Sequence, residues 1–202
     1  MKLYFKQGAC SLASHIILNE IGANFELDEV DTAKGETKSG RDYKTINPNG
    51  YVPALELDSG EILTEGPAIL QYIAALNGET NLIAKQGTIE QTRIQQHLNY
   101  AGTELHHAFG PLFSSSITEK EKQQAKANVA RKFDYLNKLF SDGRTYVMGD
   151  NFTVADAYLF VVSNWSNFVG IDLTQWPHIS TYAERVSKRP ATQTALKTEG
   201  LI

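Results

Sequence analysis

The hydrophobic pattern of this chain changes once, near residue 80, and that change restricts it to a two-part fold. Before the change, short strand-like apolar runs alternate with helical stripes; after about residue 87 only helical spacing remains. Lys2–Phe5 and Phe25–Val30 read as strands. Between them Leu12, Ile16, Ile17 and Ile21 make a helical stripe that Gly22 is suited to end. The resulting βαβ unit is expected to have parallel strands. A polar loop, residues 31–40, leads to a short helix ending at Ile46 and to the turn cluster Asn47-Pro48-Asn49-Gly50. Ala54–Leu57 and Ile62–Thr64 flank Asp58-Ser59-Gly60-Glu61 as a hairpin, and Gly66-Pro67 opens a helix over Ala68–Leu76.

The order βαβ-α-ββ-α predicts an α+β domain over residues 1–78 with a four-stranded mixed sheet. An all-α domain is expected over 87–202, with 79–86 as linker. Thr88–Phe113 reads as one long helix, and Ala125, Val129, Phe133, Leu136 and Phe140 mark an amphipathic stripe over Glu119–Phe140. Thr153 followed by Asp156 resembles a capping box, and the apolar run from Ala157 to Trp165 predicts a buried central helix.

Charge narrows the partners. With 23 acidic and 19 basic residues, a net charge of -4 and no basic block, nucleic acid and anionic membranes are not expected. No apolar run is long enough for a signal peptide or a membrane span, so a cytoplasmic protein is expected. The single cysteine rules out an intrachain disulfide, leaving Cys10 as either packing or chemistry.

Four places carry candidate chemistry. Cys10 lies between a strand and a helix, where the helix N-terminus should favour thiolate, with the Ser11 hydroxyl alongside. Pro53 opens a strand; a trans bond is the ordinary case, whereas a cis Val52–Pro53 bond would turn the Val52 backbone toward a peptide-like ligand. Glu65 and the Gly66 amide, at a helix start, suit the two charges of an amino-acid zwitterion. On the long helix, Asn99, Thr103 and His106 are spaced by four and three and should share one face, with Glu104 and His107 on either side. A metal at His106-His107 is not expected, because adjacent helical residues diverge. Phe109, Phe113, Tyr158 and Trp165 suit either the bundle core or an apolar pocket.

Gly8-Ala9-Cys10-Ser11-Leu12, Asn47 to Leu55, Leu63-Thr64-Glu65-Gly66, Leu98-Asn99-Tyr100, Glu104-Leu105-His106, Phe152 to Phe160 and the closing Glu199-Gly200-Leu201-Ile202 resemble the bacterial beta-class glutathione transferases across essentially the whole chain. The resemblance implies a thioredoxin-like N-terminal domain, a helical C-terminal domain, a homodimer, glutathione as co-substrate and conjugation to hydrophobic electrophiles. It implies that Cys10 and His106 act at the glutathione sulfur, and that Pro53 is cis. It also assigns glutathione contacts to Cys10, Val52, Glu65, Gly66, Asn99, Thr103, Glu104, Leu105 and His106. The family commonly has lysine at the positions of Gly35 and His107, so weaker glutathione binding is expected unless Lys34 substitutes. The alternatives are a glutathione-dependent thiol-disulfide reductase or peroxidase using Cys10 covalently, and a non-catalytic carrier of apolar ligands.

Overall fold

A computed structural model describes residues 1–78 and 81–202, which pack as two units: Met1–Ile83 with Lys188–Ile202, and Ala84–Ser187. Glu79 and Thr80, at the start of the expected linker, lie outside the described residues.

The first unit contains strands β1 (Lys2–Phe5), β2 (Glu26–Asp31), β3 (Glu36–Thr37), β4 (Ala54–Glu56) and β5 (Ile62–Leu63), and helices α1 (Ser11–Glu20) and α2 (Gly66–Leu76). The strand order is β3-β2-β1-β4-β5. β1 and β2 are parallel, as expected of a βαβ unit, and the other pairings are antiparallel. The sheet therefore has five strands instead of the predicted four. The extra one, β3, has only two residues in the polar loop, and it forms because Gly35 adopts a left-handed φ of 72° that folds the chain back onto β2. With so few residues and no apolar alternation, it gives no strand signal in the sequence.

Leu3 and Tyr4 of β1 pair with Leu55 and Ala54 of β4, and all four are fully buried. α1 is buried on nearly every face, because it packs on β1, on α2 and on the C-terminal helix Pro190–Thr198. Gly22 ends it as predicted, and the Ala23 amide reaches back to the Leu18 carbonyl at 3.0 Å. The C-terminal helix, expected within the all-α domain, thus packs in the first unit; Arg189 holds Glu20 through two bonds, of 2.7 and 2.9 Å.

The second unit is helical: α3 (Ile89–Asn99), α4 (Glu119–Leu139), α5 (Val154–Asn164) and α6 (Pro177–Ser187). The predicted continuous helix from Thr88 to Phe113 is interrupted. It is α-helical to Asn99, π-helical over Tyr100–His106, briefly α-helical again, and 3₁₀ over Gly110–Phe113. Val129, Phe133, Leu136 and Phe140 face the core, and Val154 to Ser163 are all buried, so α5 is the central helix. Its start is held by Asp156, whose carboxylate accepts from the Thr153 amide and hydroxyl, each at 2.9 Å, and from the Val147 amide at 2.8 Å. Among the described residues, no helix is long and apolar enough to cross a membrane.

Candidate functional site

Cys10 occupies the N-cap of α1, where β1 hands the chain to the helix. The turn is held from within: the Ala9 amide bonds to the Lys6 carbonyl at 3.0 Å, and the buried Ser11 hydroxyl bridges the Lys6 amide and carbonyl. Ser11 is thereby committed to the turn. The half-buried Cys10 thiol donates to the Val52 carbonyl at 3.2 Å.

The position of Cys10 at a helix start does not produce the expected thiolate. Burial pushes its thiol up to about 11, outweighing the opposite pull of the Cys10 and Ser11 amides, and the negative charge of Glu65 adds to the rise. Cys10 is a hydrogen-bond donor at neutral pH.

The Val52–Pro53 peptide is cis. The segment before it is anchored at the Tyr51 carbonyl, which accepts from Tyr43 Oη at 2.8 Å and Asn47 Nδ2 at 2.7 Å. Asn47, read from sequence only as part of a turn cluster, thus fixes the approach to Val52. Glu65 has φ 67° and ψ 106°, and among the described residues it alone reaches positive φ without being glycine. Such conformations are costly and persist where the surroundings impose them, often at ligand sites. Its carbonyl receives the Ala68 and Ile69 amides at 3.0 Å, while its side chain is exposed. Gly66 provides the first amide of α2, and Pro67 provides none. A side chain at Gly66 would meet the Pro53 ring at an ordinary 3.8 Å, so glycine is not demanded there by space. The first unit therefore brings Cys10, Val52, Glu65 and Gly66 together.

In the second unit, the π-helical segment changes the expected common face. A π turn closes i→i+5 bonds and rotates less per residue than an α turn, so an offset of four still lines up while an offset of three falls behind. Asn99 and Thr103 are exposed, with Thr103 Oγ1 bonded to the Asn99 carbonyl at 2.9 Å. Glu104 is exposed and paired with Lys132. Leu105 is fully buried, so its side chain serves the core. His106 is half-buried and His107 exposed.

The His106 ring is held on two sides. Nδ1 lies 2.8 Å from the Tyr158 hydroxyl, and Trp165 meets the ring edge-on at 4.6 Å. Burial, and then the nearby His107, hold its pKa below the usual histidine value, so the imidazole is neutral at pH 7. Phe109, Tyr158 and Trp165 are buried as core, whereas Phe113 is exposed and edges Trp165 at 5.3 Å. From sequence Tyr158 suits either the bundle core or an apolar pocket; a tyrosine marks a buried partner for histidine only once the fold is known.

Outside these groups the first unit has an open hollow of about 570 Å³ lined by Lys6, Gln7, Asp31, Lys34 and Lys38, among others. Lys34 Nζ lies 3.2 Å from Asp31 Oδ2 and is well exposed.

The sequence matches two family models, "Glutathione S-transferase, N-terminal domain" over residues 1–75 and "Glutathione S-transferase, C-terminal domain" over residues 100–190. It is 44% identical to Glutathione S-transferase GstA of Escherichia coli O157:H7 over 201 residues, covering 100% of both chains. Its structure is similar to the bacterial beta class glutathione S-transferase of Sphingomonas chungbukensis, with a TM-score of 0.97, 44% identity and 100% coverage of both chains. It is also similar to a sphingomonad glutathione S-transferase solved in complex with glutathione, with a TM-score of 0.96, 45% identity and 100% coverage of both chains.

Proposed function

The chain belongs to the glutathione S-transferase family, in its bacterial beta class, and from that premise we propose how its residues carry out the transfer. Glutathione lies along the first unit with its γ-glutamyl zwitterion at Glu65 and the Gly66 amide, and its cysteinyl backbone paired with the main chain of Val52. The Cys10 thiol exchanges its Val52 acceptor for the glutathione sulfur. The observation that carries this reading is the Cys10 Sγ to Val52 O contact of 3.2 Å, which sets a thiol donor against the main chain proposed to pair the ligand.

The glutathione thiol gives up its proton, and the resulting thiolate is stabilised by the Cys10 S–H and the amides at the start of α1. His106 is assigned as a second group acting on that sulfur; as a neutral imidazole it can accept the thiol proton. The thiolate attacks an electrophilic carbon of an apolar substrate, the carbon–sulfur bond forms, and the leaving group departs with the electron pair of the broken bond. Lowering the thiol pKa raises the thiolate fraction at some cost in intrinsic nucleophilicity. The raised Cys10 pKa favours this hydrogen-bonding role over covalent attack by Cys10 on a glutathione disulfide.

Asn99, Thr103, Glu104 and Leu105 are retained as glutathione contacts on family resemblance, Leu105 through its backbone only. The protein is further assigned as a cytoplasmic homodimer, to be checked by light scattering on the purified chain. Steady-state conjugation of an activated aryl halide, compared for wild type, Cys10→Ser and Cys10→Ala, tests the mechanism. Retention of conjugation in Cys10→Ser with loss in Cys10→Ala supports donation by a hydroxyl or thiol; complete loss in both assigns covalent chemistry. Glutathione binding without turnover across a panel of electrophiles and peroxides would identify a carrier.

A further inference from the structure

We propose that Glu199 is a positioning residue for Cys10, its buried carboxylate fixing through the Gly8 amide the turn that sets the thiol against Val52. The proposal rests on the reading of Cys10 as the group that contacts the glutathione sulfur. Glu199 Oε2 accepts from the Gly8 amide at 2.9 Å, and Oε1 lies 2.9 Å from His15 Nδ1. The two side chains are 0% and 2% exposed. The next residue continues the tie, since Gln7 Nε2 donates to the Gly200 carbonyl at 3.3 Å. The closing Glu199-Gly200 sequence is therefore joined to Gln7-Gly8, two residues before Cys10.

Glu199 is in an unfavourable place unless the arrangement has a use. It caps the C-terminal end of the last helix, where the dipole repels a carboxylate, and it is out of water, where a charge is costly without partners. Gly8 and His15 supply those partners. Gly8 adopts φ 68°, a left-handed conformation open to glycine, and its amide is the group that Glu199 holds. His15 lies one turn along α1 from Ser11, its ring edge-on to Phe25 at 5.6 Å, so the carboxylate is anchored to the same helix that Cys10 caps.

The test uses Glu199→Ala and Glu199→Gln in the full chain. The amide of glutamine retains an acceptor for Gly8 and can donate to His15 once that ring carries its proton on Nε2 instead of Nδ1; alanine retains neither. Two readouts are taken: KM and kcat with glutathione, and the pH dependence of Cys10 alkylation by iodoacetamide without glutathione. Glu199→Ala is expected to raise the glutathione KM about tenfold with a smaller effect on kcat, and to displace the alkylation midpoint, as loss of a buried charged hydrogen-bond partner implies. Glu199→Gln should stay within about twofold of wild type. A folded Glu199→Ala that keeps both the wild-type KM and the wild-type alkylation profile overturns the proposal, because a purely structural role predicts only a lower melting temperature. If the alanine variant does not fold, Glu199→Asp, too short to hold both partners, takes its place under the same criteria. Absence of conjugation by the wild-type chain would rebut the transferase reading, while the alkylation comparison would still decide the role of Glu199.

Discussion

The Cys10 thiol is a donor to the Val52 carbonyl, at 3.2 Å, and not a thiolate held by its helix. With a pKa of about 11, roughly one thiol in ten thousand is ionised at pH 7. Alkylation of the free protein should therefore be slow at neutral pH and keep rising beyond pH 9, and the ultraviolet thiolate band should follow the same curve. A midpoint below pH 8 would show that the dipole outweighs burial.

The bond between His106 Nδ1 and Tyr158 Oη, at 2.8 Å, gives a second prediction. Tyr158→Phe keeps the ring and removes this partner, so kcat should fall about three- to tenfold with little change in glutathione KM, consistent with loss of one hydrogen bond. Because His106 is held below the usual histidine pKa, any acid limb that it gives to kcat should lie below pH 6.5. In Tyr158→Phe that limb should move, whereas in His106→Asn it should disappear.

Much of this architecture could be read from periodicity. The buried positions Leu12, Ile16 and Ile17 on α1, and Val129, Phe133 and Leu136 on α4, follow the spacing of apolar residues. Other features have no local signal. The π-helical segment keeps the same residue types as an α-helix while changing which of them align, so His106 parts from Asn99 and Thr103. The carboxylate of Glu199 meets partners 184 and 191 residues away, a distance over which sequence carries no pairing information. The Cys10 ionisation failed for a different reason. The helix N-terminus can be recognised from sequence, but the burial that opposes it belongs to the packed fold.

Lys34 is occupied by Asp31, at 3.2 Å, so it should not replace the lysine usual at the position of Gly35. Lys34→Ala should change the glutathione dissociation constant less than twofold in calorimetric titration. Gly35→Lys has room, with nothing within 4 Å of its first carbon, but it must adopt φ 72°, at a cost of about 1 kcal/mol or more in stability. It should bind glutathione more tightly while melting lower. Unchanged affinity in a folded Gly35→Lys protein would remove the argument for weak binding.

His97 gives a pH-dependent stability term. Burial, with Arg144 and Arg93 nearby, lowers its pKa to about 4, so the folded state resists protonation. The unfolded state binds the proton first. The stabilisation is complete above pH 6.5 and is lost as pH falls toward 4, a change on the order of 3 kcal/mol. Asp156 acts in the opposite sense, since its pKa is raised to about 6 by burial and it gains stability as pH falls below that value. Urea unfolding at pH 7 and pH 5 should therefore show a shallower acid loss in His97→Gln than in wild type, with the Asp156 contribution common to both. Equal losses would show that His97 is accessible to protons in the folded state.

At the start of α5 the carboxylate matters more than the hydroxyl. Thr153→Ala removes one bond to Asp156 and leaves the Thr153 and Val147 amides satisfied, so it should cost about 0.5–2 kcal/mol. Asp156→Ala strands both buried amides at roughly 1–3 kcal/mol each, and it also removes the acceptor of the Thr153 hydroxyl. Thermal denaturation should rank wild type above Thr153→Ala and Thr153→Ala above Asp156→Ala. The reverse order of the two variants would place the anchor of α5 at the threonine, and the Val147 amide would then have to find another acceptor.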